Sequence, residues 1–240
     1  MLQTKHRNSR EKLRKVPAVF ICMAAVFMIC LTSCQAGEPG EARSASCKAS
    51  CFIYTDGLLD DLCAAEYLSG RYDSAVILLQ DPEGLSQNEY GSDKVRSKKD
   101  LLDTVSGWFP EVTEYSDSMD LSETDMYLLA PLTEFAALLK EDPSLKSGHA
   151  LMMAGDQEGP EGGGNEWNAA SDPEAYRFVT ENMTDLTQVT APECEAAFLK
   201  SGYPFHAEFL DEYINHMEAM DENLCCYDLQ AAAYGFEPGQ

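Results

Sequence analysis

The run Tyr54-Thr55-Asp56-Gly57-Leu58-Leu59-Asp60-Asp61 places three carboxylates where an apolar segment gives way to a helical pattern. Carboxylates that converge on one point offer oxygen ligands only, the donor set of Ca2+ or Mg2+ rather than of zinc. Acids in the first turn of a helix are also stabilised by its dipole, by about 0.3–1 kcal/mol each, with no ligand involved. Three acids are more than capping requires, and their mutual repulsion would be relieved by a cation.

The elements that must position this turn alternate in type. Residues 52–54 read as a strand, and Leu59, Leu62, Ala65 and Leu68 recur at helical spacing behind it. Further strands are expected at 75–79, 126–129, 149–153 and 186–190, and helices at 59–68, 98–109, 133–140, 172–183, 194–200, 205–220 and 227–234. This alternation predicts an α/β fold, a mostly parallel, Rossmann-like open sheet with helices on both faces. Ligands in such sheets sit at the carboxyl ends of the strands, where the acidic turn lies. A phosphatase turn of the haloacid dehalogenase type also follows a first strand, but its nucleophilic aspartate stands two positions before the second acid. Tyr54 occupies that position, so this chemistry is excluded.

The chain has 240 residues, with 41 acidic against 17 basic and a net charge of −24. Such a surface has nothing to neutralise phosphates, which excludes nucleic acid as a partner. With 45 % hydrophobic and 10 % aromatic residues the chain can nevertheless build a core. The charge is unevenly placed. Lys5, Arg7, Arg10, Lys12, Arg14 and Lys15 precede an uncharged stretch from Val16 to Leu31, the order of an export signal. Leu31-Thr32-Ser33-Cys34 resembles a bacterial lipobox. Residues 1–33 are therefore expected to be a lipoprotein signal, Cys34 the lipidated residue, 34–46 a flexible tether and 47–240 one domain. The expected location is extracytoplasmic, held at the membrane by a lipid anchor. Cys47, Cys51, Cys63, Cys194, Cys225 and Cys226 remain in that domain, as disulfides or as buried thiols.

The acidic turn resembles the Asp-Thr-Asp-Pro-Gly-x-Asp-Asp motif of the inosine–uridine-preferring nucleoside hydrolases, and four more segments follow in family order. Leu129-Ala130-Pro131-Leu132-Thr133-Glu134-Phe135-Ala136 is similar to Thr-Gly-Pro-Leu-Thr-Asn-Leu-Ala, and Met152-Met153-Ala154-Gly155 to Val-Met-Gly-Gly. Glu166-Trp167-Asn168 with Ser171-Asp172-Pro173-Glu174-Ala175 is similar to Glu-Phe-Asn with Val-Asp-Pro-Glu-Ala, and Tyr227-Asp228-Leu229-Gln230-Ala231-Ala232 to His-Asp-Pro-Leu-Ala-Val.

The resemblance implies calcium-dependent hydrolysis of the N-glycosidic bond of a ribonucleoside or a related ribose-containing molecule. It implies Asp56 as calcium ligand and water-activating base, and Asp61, Asp228 and the Leu129 carbonyl as further ligands. Asp60, Glu166, Asn168 and Met153 would lie against the ribose, and Tyr227 stands beside the substrate where several members carry a proton-donating histidine. The sequence departs from the motif at Tyr54, at Gly57-Leu58 and at Tyr227, has Gln80-Asp81 where the family has Gly-Asn, and is short between Asp61 and Leu129. An impaired hydrolase that binds calcium and a nucleoside or sugar, and a surface protein used for contact alone, are the alternatives. Homo-oligomerisation is left open.

Overall fold

The computed structural model describes residues 50–87, 90–121 and 124–235. The expected signal, Cys34, the tether and Cys47 lie outside the described residues. The described chain falls within one compact unit, Ser46–Gln240, and none of its helices is long and apolar enough to cross a membrane.

The strands are β1 (Ser50–Thr55), β2 (Ser74–Leu79), β3 (Glu111–Glu114), β4 (Asp125–Leu128), β5 (His149–Met153) and β6 (Asp185–Val189). The α-helices are α1 (Leu59–Ser69), α2 (Lys98–Val105), α3 (Thr133–Glu141), α4 (Trp167–Ser171), α5 (Pro173–Asn182), α6 (Ala191–Ser201), α7 (Leu210–Met220) and α8 (Tyr227–Tyr234). All six strands pair in parallel in the order β3-β2-β1-β4-β5-β6.

Side-chain alternation along β1 divides the core in two. Cys51 and Ile53 face one way, into a cluster with Leu62, Leu101, Tyr213 and Leu229 from α1, α2, α7 and α8. Phe52 and Tyr54 face the other way, among Phe135, Leu139, Tyr176 and Val179 of α3 and α5. The central strands are thus apolar on both faces, as a parallel sheet covered on both sides requires. The edge strands β3 and β6 are largely polar.

From β1 the chain steps outward to β2 and β3 with its helices on the first face. It then returns past β1 to β4 and steps the other way with helices on the second face. The order therefore reverses between β1 and β4, which opens a crevice at their carboxyl ends. Asp56 follows β1 directly, and Leu129 follows β4.

The expected α/β class is the one observed; most element ends agree within one or two residues, and three helix boundaries differ by three residues or more. The helix expected over 98–109 stops at Val105: Gly107 and Trp108 bond back three residues to Thr104 and Val105, and Phe109 precedes Pro110, which disfavours helical backbone. The helix expected from 205 begins at Leu210 because Phe205 packs edge-on against Tyr67 and the Glu208 N–H is taken by the Glu66 carboxylate. The helix expected from 194 begins earlier, at Ala191, where the Glu193 carboxylate accepts from both the Thr190 N–H and hydroxyl, at 2.8 and 2.9 Å. β3 and the short α4 were not expected at all.

Candidate functional site

Thr55 ends β1 and sets the local geometry. Its hydroxyl donates to Asp61 Oδ1 at 2.5 Å and accepts from the Gly57 N–H at 2.9 Å. Gly57 has φ +79°, and a Cβ there would meet Leu85 Cδ1 at 3.0 Å, so the turn needs glycine. The Leu58 N–H donates to Asp56 Oδ1 at 3.3 Å. Asp60 and Asp61 then occupy the first turn of α1. Asp228 enters from the first turn of α8, the helix packed most closely on α1.

Oxygens of Asp60, Asp61 and Asp228 lie within 4.8 Å of one another. Asp61 is also within hydrogen-bonding reach of Asp56 and Asp228. Asp61 and Asp228 are only 2 % and 4 % exposed, yet the buried oxygens Asp60 Oδ1 and Asp61 Oδ2 have no hydrogen-bond partner. Buried polar atoms are almost always paired, and two unpaired carboxylate oxygens in one cluster fit the donor set of a cation. Burial, followed by the charge of Asp56, pushes Asp60 up to about 7. Burial and the neighbouring carboxylates hold Asp61 and Asp228 well above the usual carboxylate range, and burial raises Asp56.

The ends of β4 and β5 are tied to α4 by Asn168. Its amide donates to the Leu129 carbonyl at 3.2 Å and to the Met153 carbonyl at 3.0 Å. Glu166 caps the same helix: Oε1 accepts from the Asn168 N–H at 2.8 Å, and Oε2 from the Gly155 and Ala169 N–H groups at 2.7 and 3.0 Å. Asn168→Ala would leave two buried carbonyls without their donor at the mouth of the crevice. The expected loss is about 2–3 kcal/mol of unfolding free energy in urea titration; an unchanged midpoint would show that the tie is dispensable.

Of the residues expected from sequence, the structure brings Asp56, Asp60, Asp61 and Asp228 together, and joins Leu129, Met153, Glu166 and Asn168 in an adjoining group. Tyr227 is committed elsewhere. Its hydroxyl donates to Glu195 Oε1 at 2.8 Å and accepts from Asn223 at 3.1 Å, and burial with Glu195 raises its pKa. Tyr54 lies in the core of the opposite face, donating to the Pro131 carbonyl at 2.6 Å.

Four further residues stand at the site without having been assigned to it from sequence. Thr55 is one. Gln80 follows β2 in register with Asp56, its N–H on the Thr55 carbonyl at 2.8 Å and its Oε1 buried and unpartnered; the strand register was the signal for it. Tyr90 is hydrogen-bonded to Asp60, and His216 packs on Tyr90 with ring centroids 4.9 Å apart. Both come from segments whose local pattern says nothing of the acids.

No family model matches the chain, and no curated protein matches it. Among solved structures, an inosine–uridine preferring nucleoside hydrolase from Bacillus anthracis matches at 18 % sequence identity with a TM-score of 0.44, over 78 % of this chain and 81 % of that one. This is a distant structural resemblance.

Proposed function

We propose that this domain is a metal-assisted N-glycosidase that cleaves a ribonucleoside into ribose and free base, with Ca2+ as its cation. The observation that carries this reading is the buried carboxylate cluster at the reversal point of a parallel sheet, with oxygens of Asp60 and Asp61 left unpaired. Asp56, Asp61 and Asp228 would hold the cation with the Leu129 carbonyl, and Asp60 would accept from ribose hydroxyls. A bound calcium ion supplies the positive charge that lets these buried carboxylates ionise together and orients hydroxyl oxygens around it.

Asp56 retains partial exposure, which suits the group that takes a proton from the attacking water. Breaking the bond builds oxocarbenium-like positive charge at the anomeric carbon, and fixed carboxylates around that carbon favour it over the neutral ground state. Asn168 holds the two strand ends against which the sugar would rest. The proposal includes export: residues 1–33 as a lipoprotein signal and Cys34 as the lipid-bearing anchor.

The test is release of reducing sugar from a panel of purine, pyrimidine and nicotinamide ribosides, with calcium and with chelator. The expected result is calcium-dependent release that Asp56→Asn lowers by more than about 100-fold; silence of the wild type on the whole panel would overturn hydrolysis. One observation favours a second reading, binding without turnover: the Glu166 carboxylate already serves three backbone N–H groups and the Tyr227 hydroxyl serves Glu195. Calorimetric binding of a nucleoside without sugar release would select it.

A further inference from the structure

The cysteines of the described residues are all buried, and the fold sorts them by partner. The Cys51 thiol donates to the Ser74 carbonyl at 3.7 Å, and the Cys194 thiol to the Tyr227 carbonyl at 3.6 Å. Cys63, on α1, and Cys226, the residue that caps α8, instead meet thiol against thiol. Both belong to the core between sheet and helices and are closed to solvent. A thiol is a weak donor and a weak acceptor, so this contact adds little as a hydrogen bond, and what distinguishes the pair from two small apolar residues is its reactivity.

Cys225 does not compete for the same place. Its N–H is held by Asn223 Oδ1 at 3.0 Å and its carbonyl by the Tyr213 hydroxyl, while the Cys226 carbonyl accepts from the Gln230 N–H at 2.9 Å. The backbone on both sides of the Cys225-Cys226 peptide is therefore fixed with Cys226 turned to α1.

The position of the pair gives a bond between them a purpose. Cys63 follows Asp61 by two residues, and Cys226 precedes Asp228 by two. The helices that carry the crowded carboxylates are thus joined beside the point where those carboxylates repel one another.

We infer that Cys63 and Cys226 form a disulfide, closed during folding by exchange with an external disulfide, and that this bond fastens α1 to the start of α8 against the repulsion of the acids. One cysteine thiolate attacks a sulfur of the external disulfide and displaces a thiolate. The other then attacks the mixed disulfide and displaces the second. Two cysteine thiols are oxidised, one external disulfide is reduced to two thiols, and the two protons leave with them. Because both sulfurs are closed to solvent in the folded chain, the exchange belongs to the stage before α8 docks on α1. Export, as proposed above, puts the domain where disulfides persist; the hydrolase reading plays no part in the bond.

The test refolds reduced, full-length protein in a mixture of reduced and oxidised glutathione, alkylates it in denaturant and maps its peptides by mass spectrometry. The expected product is a Cys63–Cys226 link that lacks two hydrogen atoms. In chelator it is expected to melt about 5–15 °C above the same protein refolded in reductant, since the link closes a loop of about 160 residues. Cys225→Ala should keep the link and Cys226→Ala should lose it. Wild-type protein alkylated at both Cys63 and Cys226, or a map that joins Cys225 to Cys226 or either member of the pair to another cysteine, would overturn the assignment. Linked protein that melts no higher than reduced protein would overturn the fastening role.

Discussion

Asp61→Asn is expected to raise the melting temperature of the calcium-free domain at pH 8 and to abolish its stabilisation by calcium. Asp61 is almost wholly buried, faces Asp56, Asp60 and Asp228, and has one oxygen without a partner. At pH 8, without a cation, it is either ionised against like charges or protonated at the cost of drawing a proton from dilute solution. Both destabilise the fold. Asparagine keeps an oxygen to accept from the Thr55 hydroxyl and removes the charge. A gain of about 1–3 kcal/mol corresponds to roughly 2–4 °C for each kcal/mol in a domain of this size. Wild-type protein at a calcium concentration 100 times its Kd should gain about 2.7 kcal/mol that the variant does not. Scanning calorimetry in chelator and in calcium measures both effects. A variant that melts lower in chelator and keeps the calcium shift would mean that the cluster is a structural network and not a cation site.

The same residues show how far the sequence could be read. The turn after β1 is legible because both of its signals are local: a short continuous apolar run, then acids ahead of a helical repeat. Asp228 carries no such signal, since a lone acid at a helix start is explained by the dipole; it came into view through resemblance, and the packing of α8 on α1 places it beside Asp61. β3 was illegible because Glu111-Val112-Thr113-Glu114 is an exposed edge strand with one apolar residue, held by its pairing with β2. Glu166 and Asn168 are singled out together by the resemblance, but sequence does not show that three backbone N–H groups converge on Glu166 or that two carbonyls converge on Asn168. Tyr90 reaches Asp60, and His216 reaches Tyr90, only through the tertiary fold.

The second large effect is a pH dependence opposite in sign to that of most acidic proteins. In chelator, the stability of the domain is expected to fall as pH rises from about 4 to about 8. Asp60 titrates near 3.8 when unfolded and at about 7 in the fold. Between those values the native state binds the extra proton, so unfolding free energy decreases with pH until the folded carboxyl has ionised. For Asp60 alone the change is on the order of 4 kcal/mol, and Asp56, Asp61 and Asp228, all raised, act in the same direction. Asp100 and Asp172, lowered by the hydrogen bonds of helix capping, act in the opposite direction, but their contribution is complete once pH exceeds their unfolded values near 4 and leaves the upper window untouched. Calcium competes with those protons. The stabilisation it confers should therefore grow between pH 5 and pH 8, because at low pH binding must first expel protons. Urea titrations at pH 5, 6, 7 and 8, each with calcium and with chelator, separate the two curves. Chelated protein that gains stability up to pH 8, with a calcium increment independent of pH, would show that the carboxylates already have partners and hold no cation.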